Sequence, residues 1–239
     1  MISKSTFKRF YPDHTHDGAV AFYSWVRTFI NPDTNLLNLG AGPPANRDPI
    51  RVFKGEVAKV IGVDIDPEVK TNTELDEAYV ITPGGKLPFP EETFDLVLCD
   101  WVLEHIADPQ QFLSEARRVL RTGGSFFFRT PNRYHYVGLI ARSTPEWFHK
   151  LVANRARGSR PGAHEPWPTF YRLNSRGDVE SKGLKAGYRE VEIKMWECQP
   201  AYLVFSTLPF LIGVSYERLV NRYTALEAFR ADILGRMVK

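Results

Sequence analysis

The chain reads Leu36-Leu37-Asn38-Leu39-Gly40-Ala41-Gly42 and, further on, Val60-Ile61-Gly62-Val63-Asp64. The first stretch is an apolar run that ends in two glycines one residue apart, and the second is an apolar run that ends in a carboxylate. Short apolar runs of this kind are typical of strands buried in a parallel sheet, whose carboxyl ends emerge at one edge, where nucleotide-like ligands bind. Glycines let the backbone approach a ligand closely, and a carboxylate accepts hydrogen bonds from both hydroxyls of a ribose. The two stretches therefore predict an enzyme that uses a nucleotide-like cofactor.

The whole chain has the composition of an ordinary globular protein, with 239 residues of which 43% are hydrophobic and 25% are charged. This composition fits one large domain. The net charge of +3 is too small to favour nucleic acid as a partner. The two cysteines, Cys99 and Cys198, are far apart in sequence and form neither a disulfide framework nor a metal-binding pattern, so we expect a reducing, cytoplasmic setting.

Neither the first ten residues nor the most apolar stretch predicts a membrane-spanning segment. The first ten residues have basic side chains but no apolar core, so we expect no secretory signal. The most apolar stretch, residues 203–214, contains Pro209 and is shorter than the roughly 20 apolar residues that a spanning helix needs. We therefore expect no stable membrane insertion. This stretch is interpreted as core packing, with a homodimer face or a surface for a lipid-linked acceptor as alternatives.

Strand and helix patterns alternate along the chain, which predicts a mostly parallel sheet with right-handed crossovers. Strands are predicted over residues 36–39, 59–63, 78–81, 94–99, 125–129 and 189–196. Helices are predicted over residues 19–30 and 49–54, from the Asp108-Pro109 cap to a stop at Gly123-Gly124, and from Asn174 or Ser175 to Gly187. The tail, residues 202–238, is predicted to be mostly helical.

The alternation breaks between about residues 134 and 172, where aromatic, proline and arginine residues concentrate. We predict one domain over residues 1–239, in which 1–34 is an N-terminal helical lid and 35–132 is the cofactor-binding core. Residues 133–173 are then a substrate-binding insertion after strand five, and 174–239 a C-terminal region of helices and strand. From Arg142 to Arg176 there are seven Lys or Arg residues and two acids, which favours an anionic ligand or a solvated loop.

An ordered series of motifs surrounds the fourth and fifth predicted strands. The series consists of Leu87-Pro88-Phe89-Pro90, Phe94-Asp95-Leu96-Val97, Cys99-Asp100-Trp101-Val102-Leu103-Glu104-His105-Ile106, Asp108-Pro109, Arg117-Arg118-Val119-Leu120-Arg121-Thr122-Gly123-Gly124 and Thr130-Pro131-Asn132. Over residues 36–132 the chain resembles class I S-adenosylmethionine-dependent methyltransferases. It is most similar to the small-molecule subgroup related to ubiquinone-type and glycan-tailoring enzymes.

The resemblance implies a Rossmann-like α/β fold: a seven-stranded, mostly parallel sheet with the last strand antiparallel, in three layers α/β/α. It also implies S-adenosylmethionine as the cofactor and S-adenosylhomocysteine as the product, bound across the carboxyl ends of the first four strands. Carried over by position, the cofactor-binding residues are Asn38, Gly40, Ala41, Gly42, Asp64, Ile65, Gly84, Gly85, Asp100 and Trp101.

Each of these residues has an implied role. The resemblance assigns Gly40, Ala41 and Gly42 to the methionine part of the cofactor, and Asp64 to the ribose hydroxyls. Ile65 is expected to pack on the adenine, Gly84 and Gly85 to reach its edge, and Asp100 and Trp101 to face the methionine end. Three alternatives stay open: a tight turn that needs Gly40 and Gly42 for its own sake, a helix cap at Asp64, and a core position for Trp101.

The chain departs from the family pattern at three places. Asn38 stands where an acid is common, Pro44 stands where a third glycine is common, and residues 82–85 lack the acid often found in the adenine loop. These departures motivate one alternative function, a non-catalytic protein that binds the cofactor. The basic stretch from Arg142 to Arg176 motivates another, an RNA methyltransferase.

Methyl transfer to a hydroxyl needs a base, because a neutral hydroxyl is a poor nucleophile, and histidine is the usual base near neutral pH. We rank His135 and His164 first as catalytic candidates, followed by His105 and Glu104. Carboxylates and imidazoles also leave a divalent metal open, but no metal site is predicted. The main hypothesis is O-methylation of a small polar or glycosidic acceptor, a sugar or glycolipid, as in polysaccharide biosynthesis.

Overall fold

The structure of the protein, a computed structural model, describes residues 2–44, 49–143 and 167–239. Most of the predicted insertion lies outside these residues, and so does the candidate base His164.

Seven strands form one sheet. They are β1 (Asn35–Leu39), β2 (Lys59–Asp64), β3 (Glu77–Val80), β4 (Phe94–Asp100), β5 (Leu120–Pro131), β6 (Glu190–Trp196) and β7 (Asp232–Val238). Their order across the sheet is β3-β2-β1-β4-β5-β7-β6. The pairs from β3 to β5 are parallel; Leu36, for example, lies opposite Val60 on one side and Leu96 on the other. The carboxyl ends of β1, β2 and β4 therefore meet at one edge.

Strand β7 is antiparallel to both of its neighbours, β5 and β6. At one end the Gly123 amide donates to the Lys239 carbonyl (3.1 Å) and the Lys239 amide donates to the Gly124 carbonyl (3.0 Å). The start of β5 thus lies beside the end of β7, as in an antiparallel pair. The Arg189 amide donates to the Val238 carbonyl (2.9 Å), so β6 and β7 are antiparallel as well. A mostly parallel sheet of seven strands with an antiparallel last strand confirms the predicted fold class.

The central strands form because their side chains are apolar on both faces. Nearly all residues of β2 and β4 are buried, as expected of parallel strands covered by helices on each side. Two consecutive phenylalanines of β5 contact side chains on opposite faces of the sheet. Phe126 contacts Phe112 and Tyr188, whereas Phe127 contacts Trp25 and Phe29, and side chains of neighbouring strand residues point to opposite faces.

Six α-helices lie in the described part of the chain. They are α1 (Lys4–Phe10), α2 (Gly18–Arg27), α3 (Pro109–Val119), α4 (Tyr136–Ser143), α5 (Arg176–Lys185) and α6 (Thr207–Arg222). Short 3-10 turns cover Pro49–Arg51, Pro67–Thr71, Leu103–His105, Ala201–Leu203 and Thr224–Phe229. The predicted caps form: the Asp108 carboxylate accepts the amides of Gln110 and Gln111, and the Ser175 hydroxyl accepts the amide of Asp178.

The structure corrects three of the predicted elements. Helix α3 ends at Val119 rather than at the glycines, because residues 120–124 belong to β5 and form a bulge opposite Asp95, with Gly123 at φ +84°. The tail is not mostly helical to its end, since β7 occupies Asp232–Val238. Helix α1 was not predicted, and the segment from residue 49 forms only a 3-10 turn.

The chain divides into two compact units. The core unit comprises Phe22–Pro131, Thr169–Lys194 and Ile233–Lys239, and holds most of the sheet. The helical unit comprises, within the described ranges, residues 2–21, 132–143, 167–168 and 195–232. Its own small core is formed by Tyr11, Phe210 and Val214, against which Phe7 and Phe10 pack.

A helix that crosses a bilayer must be both long and apolar. No helix within residues 2–44, 49–143 and 167–239 meets both requirements.

Strand β7 packs closely against β5 at Gly235, so a larger side chain there should destabilise the protein. A Cβ atom on Gly235 would lie 1.9 Å from Cζ of the buried Phe128. We expect Gly235→Ala to lower the free energy of unfolding by about 1–3 kcal/mol, because overpacking displaces the ring. Urea-unfolding midpoints measure the effect.

Gly177→Ala in helix α5 is the matched control. A Cβ atom there meets nothing within 4 Å, so alanine should leave stability unchanged or raise it slightly. Equal destabilisation by the two substitutions would contradict the packing account.

Candidate functional site

The glycine loop after β1 turns back onto the end of β2. The amides of Gly40 and Ala41 both donate to the Val63 carbonyl, at 2.8 and 3.2 Å. Gly40 has φ +75° and Gly42 has φ +61°, a backbone region that favours glycine. A Cβ atom on Gly40 would lie 2.3 Å from Cγ2 of Val102. The tight turn therefore requires glycine at Gly40, and it also keeps the backbone bare at the sheet edge.

Asp64 is held by two backbone amides. Its Oδ2 accepts the Gly42 amide (2.8 Å) and its Oδ1 accepts the Asp66 amide (2.9 Å). The helix cap of this region is Asp66, whose carboxylate accepts the Glu68 amide (2.9 Å) at the start of the 3-10 turn. The cap alternative for Asp64 is therefore wrong. The half-buried Asp64 carboxylate retains lone pairs on both oxygens for a ligand.

Asn72 is a site residue that the sequence analysis missed. Its Nδ2 donates to the Gly42 carbonyl (2.9 Å), and its Oδ1 accepts the Glu74 amide (2.9 Å). The side chain is buried and binds the carbonyl of Gly42, the residue whose amide Asp64 binds. The sequence carried no signal for it, because asparagine in a polar turn is ordinary.

The loop after β3 is also held in place. The Gly85 amide donates to the Thr82 carbonyl (2.9 Å), and Gly84 has φ +67°. Gln111 of helix α3 donates from Nε2 to the Gly84 carbonyl (2.6 Å). Gly84 and Gly85 are exposed, and Ile65 is half-buried. Asn38 lies inside β1, between Gly62 of β2 and Leu98 of β4.

Asp100 ends β4 in a buried ionic network. Its carboxylate accepts two hydrogen bonds from Arg129, from Nε at 2.7 Å and from Nη2 at 2.9 Å. It also accepts the Tyr23 hydroxyl (3.0 Å), and Arg51 lies 3.6 Å away. Burial and the neighbouring carboxylate raise the pKa of Tyr23, so this phenol stays protonated and donates. Sequence reasoning had not connected Tyr23, Arg51 or Arg129 with Asp100.

Trp101 has a strained backbone and an exposed ring. Its φ of +59° is rare for a large side chain and costs about 1–2 kcal/mol. The ring is 41% exposed, so the core alternative for Trp101 is wrong. The Arg129 guanidinium lies over it at 5.5 Å. Strain of this kind concentrates at ligand sites.

Glu104 and His105 follow in the next turn. Glu104 is buried, accepts the Thr130 hydroxyl (3.2 Å), and lies 3.9 Å from Nε2 of the partly exposed His105. Burial is the largest influence on this carboxyl and raises its pKa. Asn174, another residue that sequence reasoning missed, donates to the same threonine hydroxyl (2.8 Å).

His135 belongs to the helical unit and faces an acid there. Its Nε2 lies 3.4 Å from Oε1 of Glu197, and both side chains are buried. The other oxygen of Glu197 accepts the Ala231 amide (2.8 Å). The rings of Tyr136 and Tyr216 lie 4.1 and 5.7 Å from the imidazole, and burial raises the pKa of both phenols. Among the described residues Nε2 of His135 has no hydrogen-bond partner, so the carboxylate is a close neighbour of the ring without a hydrogen bond to it.

The structure thus brings Gly40, Ala41, Gly42 and Asp64 together, and groups Asp100, Trp101, Glu104 and His105 at the end of β4. Gly84 and Gly85 lie in the loop after β3. No three metal-ligating side chains cluster within residues 2–44, 49–143 and 167–239.

The chain matches known methyltransferases. Residues 37–128 match the family described as a methyltransferase domain. A probable S-adenosylmethionine-dependent methyltransferase from Mycolicibacterium smegmatis is 35% identical over 127 residues, which are 51% of this chain and 47% of that protein. Residues 37–128 therefore form a methyltransferase domain, and its cofactor is S-adenosylmethionine.

One further relative and one solved structure show how much of the chain aligns with known methyltransferases. A ubiquinone biosynthesis O-methyltransferase from Hahella chejuensis is 32% identical over 178 residues, which are 74% of this chain and 58% of that protein. The structure of an S-adenosylmethionine-dependent methyltransferase from Archaeoglobus fulgidus aligns over 100% of both chains with a TM-score of 0.58 at 16% identity, which establishes the shared fold. This chain spans about half the length of the curated relatives it matches.

The residues at the sheet edge fit this cofactor. A ribose offers two hydroxyl donors, and the Asp64 carboxylate is a fixed acceptor with free lone pairs. A Cβ atom on Gly40 would collide with Val102, so the turn that carries this loop to Asp64 needs glycine for its own packing.

Asp64→Asn tests the ribose assignment. Asparagine can still accept one backbone amide but loses the charged acceptor, and hydrogen bonds to charged groups contribute about 1.5–3 kcal/mol. We expect calorimetry to show S-adenosylmethionine binding weakened by roughly 10- to 100-fold. Asp76→Asn is the control, because Asp76 accepts the Val60 amide (2.8 Å) at the amino end of β2, away from the site. An equal loss in both variants would contradict the assignment.

Glu104→Gln tests the burial of that carboxyl. A raised pKa in the folded state means that the folded protein keeps a proton that the unfolded chain releases above about pH 4.3. The wild type should therefore lose stability relative to Glu104→Gln as the pH rises from 4 to 8, measured by thermal unfolding. Glu91→Gln, at an exposed position, should show no such trend. A constant difference between wild type and Glu104→Gln would show that the pKa of Glu104 is not raised.

Proposed function

We propose that the protein transfers the methyl group of S-adenosylmethionine to a hydroxyl of a small polar or glycosidic acceptor, with His135 as general base. The observation that carries the proposal is the buried pair of His135 and Glu197, 3.4 Å apart. The cofactor supplies an electrophilic methyl group; as the new O–C bond forms, the sulfur keeps the electrons of the broken C–S bond and S-adenosylhomocysteine is released.

The core unit is proposed to hold the cofactor. Asp64 binds the ribose hydroxyls, and the loop of Gly40, Ala41 and Gly42 lines the methionine part. Ile65, Gly84 and Gly85 are assigned to the adenine. Asn38, Asp100 and Trp101 are assigned to the methionine end. Because the Asp100 carboxylate already accepts three protein hydrogen bonds, its proposed role is to fix Arg129 and the neighbouring backbone.

His135 is the proposed base. Glu197 is itself fixed by the Ala231 amide, and its Oε1 lies 3.4 Å from Nε2 of His135, close enough to attract a protonated ring. When the imidazole takes the acceptor proton, the carboxylate stabilises the imidazolium, which is the role of the acid in hydrolase triads. His135 follows the end of β5 by four positions, and catalytic groups of α/β folds come from segments that follow strands.

The other candidate bases have weaker support. Glu104 is buried and already accepts the Thr130 hydroxyl at 3.2 Å, so its carboxylate is engaged within the protein. His105 is partly exposed and lies 3.9 Å from that carboxyl. His164 is outside the described residues.

The hydroxyl acceptor is supported by one relative and by the side chains around the base. The relative from Hahella chejuensis is a ubiquinone biosynthesis O-methyltransferase. Tyr136 and Tyr216 beside His135 are of the kind that packs against sugar rings and aromatic rings. We further propose one domain over residues 1–239, with an N-terminal lid over 1–34 and a substrate-binding insertion over 133–173, and a cytoplasmic location.

Release of S-adenosylhomocysteine tests the proposal directly. The purified chain is screened against sugars, glycolipid head groups, phenols and mixed RNA, and at least one hydroxyl acceptor should give turnover. His135→Asn should then lower kcat by about 100-fold or more, as expected for loss of a general base. Glu197→Gln should lower kcat less, because the base remains but loses the negative charge beside it.

His14→Asn, a change of an exposed histidine in the helical unit, is the control and should leave kcat unchanged. Turnover with RNA alone would favour the RNA alternative. Cofactor binding without turnover on any acceptor would favour the binding protein. A His135→Asn variant with wild-type kcat would remove His135 from the mechanism.

A further inference from the structure

Helix α6 exposes an apolar face. Leu208 and Ile212 are 69% and 60% exposed, and Leu211 and Leu219 lie on the same side of the helix. The opposite side is buried against the small core of the helical unit. Four exposed aliphatic side chains on one helix face form a contiguous surface, and surfaces of this kind mark contact sites.

The apolar face continues into the segment before the helix. Tyr202 and Phe205 are 38% and 40% exposed. We call the surface formed by Tyr202, Phe205, Leu208, Leu211 and Ile212 the apolar patch. It stands at the start of α6, next to the point where the Ile2 amide donates to the Val204 carbonyl (2.8 Å).

Basic side chains border the apolar patch. Helix α1 is attached there by the Ile2 bond and by the packing of Phe7 and Phe10 on Phe210, at 5.9 and 5.5 Å. Its exposed charges are Lys4, Lys8 and Arg9, and the sequence has no acid before Asp13. On α6 itself the exposed charges are Arg218 and Arg222, while its glutamate, Glu217, is buried.

We propose that the apolar patch and the basic residues of α1 dock the protein on an anionic lipid bilayer. Helices that lie in the membrane interface combine an apolar face, which enters the boundary between head groups and acyl chains, with Lys and Arg that attract anionic lipid. The patch supplies the first element and Lys4, Lys8 and Arg9 supply the second. The interaction is peripheral and reversible.

The charge distribution favours lipid over a second copy of this chain. A two-fold symmetric contact through the patch would bring the two α1 helices and their like charges close together. Like charges across an interface oppose association, whereas the same charges are attracted to anionic head groups.

Vesicle co-sedimentation of the full chain tests the proposal. Binding to vesicles of phosphatidylglycerol and phosphatidylcholine should exceed binding to pure phosphatidylcholine at least tenfold, and should weaken as salt is added. The double variant Leu208→Glu/Ile212→Glu should lose at least tenfold in partitioning. Lys4→Glu/Lys8→Glu should lose the preference for anionic vesicles.

Leu184→Glu is the matched control, because Leu184 is 57% exposed on helix α5 of the core unit. It should bind vesicles as the wild type does. Circular dichroism establishes that each variant is folded. The proposal is overturned if the wild type does not bind anionic vesicles, if Leu208→Glu/Ile212→Glu binds unchanged, or if the patch instead mediates a dimer that this variant dissociates.

Discussion

The hydrogen bond between the Gly42 amide and the Asp64 carboxylate, at 2.8 Å, is the contact on which the cofactor site depends. It joins the ends of two adjacent parallel strands, and it is possible only because Gly40 and Gly42 turn the chain through left-handed backbone conformations. Asn72 holds the same loop through the Gly42 carbonyl. The carboxylate therefore has a fixed direction before any ligand arrives, which lowers the entropic cost of binding.

Buried polar groups organise the rest of the sheet edge. Asp100 is paired with Arg129 and Tyr23, and Glu104 is held by Thr130. Removing one partner of such a pair would leave the charge of the other buried without compensation. These pairs therefore hold the side chains at the end of β4 in place. The strained backbone of Trp101 persists because these neighbours fix the residue before it and the strand beside it.

The helical unit combines two features with opposite chemistry. Inside it, Glu197 faces His135, and Glu217 accepts hydrogen bonds from Tyr11 and Asn221. Outside it, the apolar patch leaves Leu208 and Ile212 in contact with solvent. Burying carboxylates and exposing leucines both raise the free energy of the folded protein. Buried polar groups and exposed apolar patches of this kind are found at sites that bind a ligand or a partner surface.

The sequence alone determined the sheet, the cofactor class and the caps of α3 and α5, because buried parallel strands need continuous apolar runs and helix caps need particular side chains. It missed β7, whose short run over Asp232–Val238 can be read as either helix or strand until a partner strand is present. Only the tertiary structure decided that Asn72 holds the glycine loop, that Asp100 pairs with Arg129, and that Glu197 faces His135. The members of each pair are far apart along the chain, so their contact depends on how the chain folds in three dimensions.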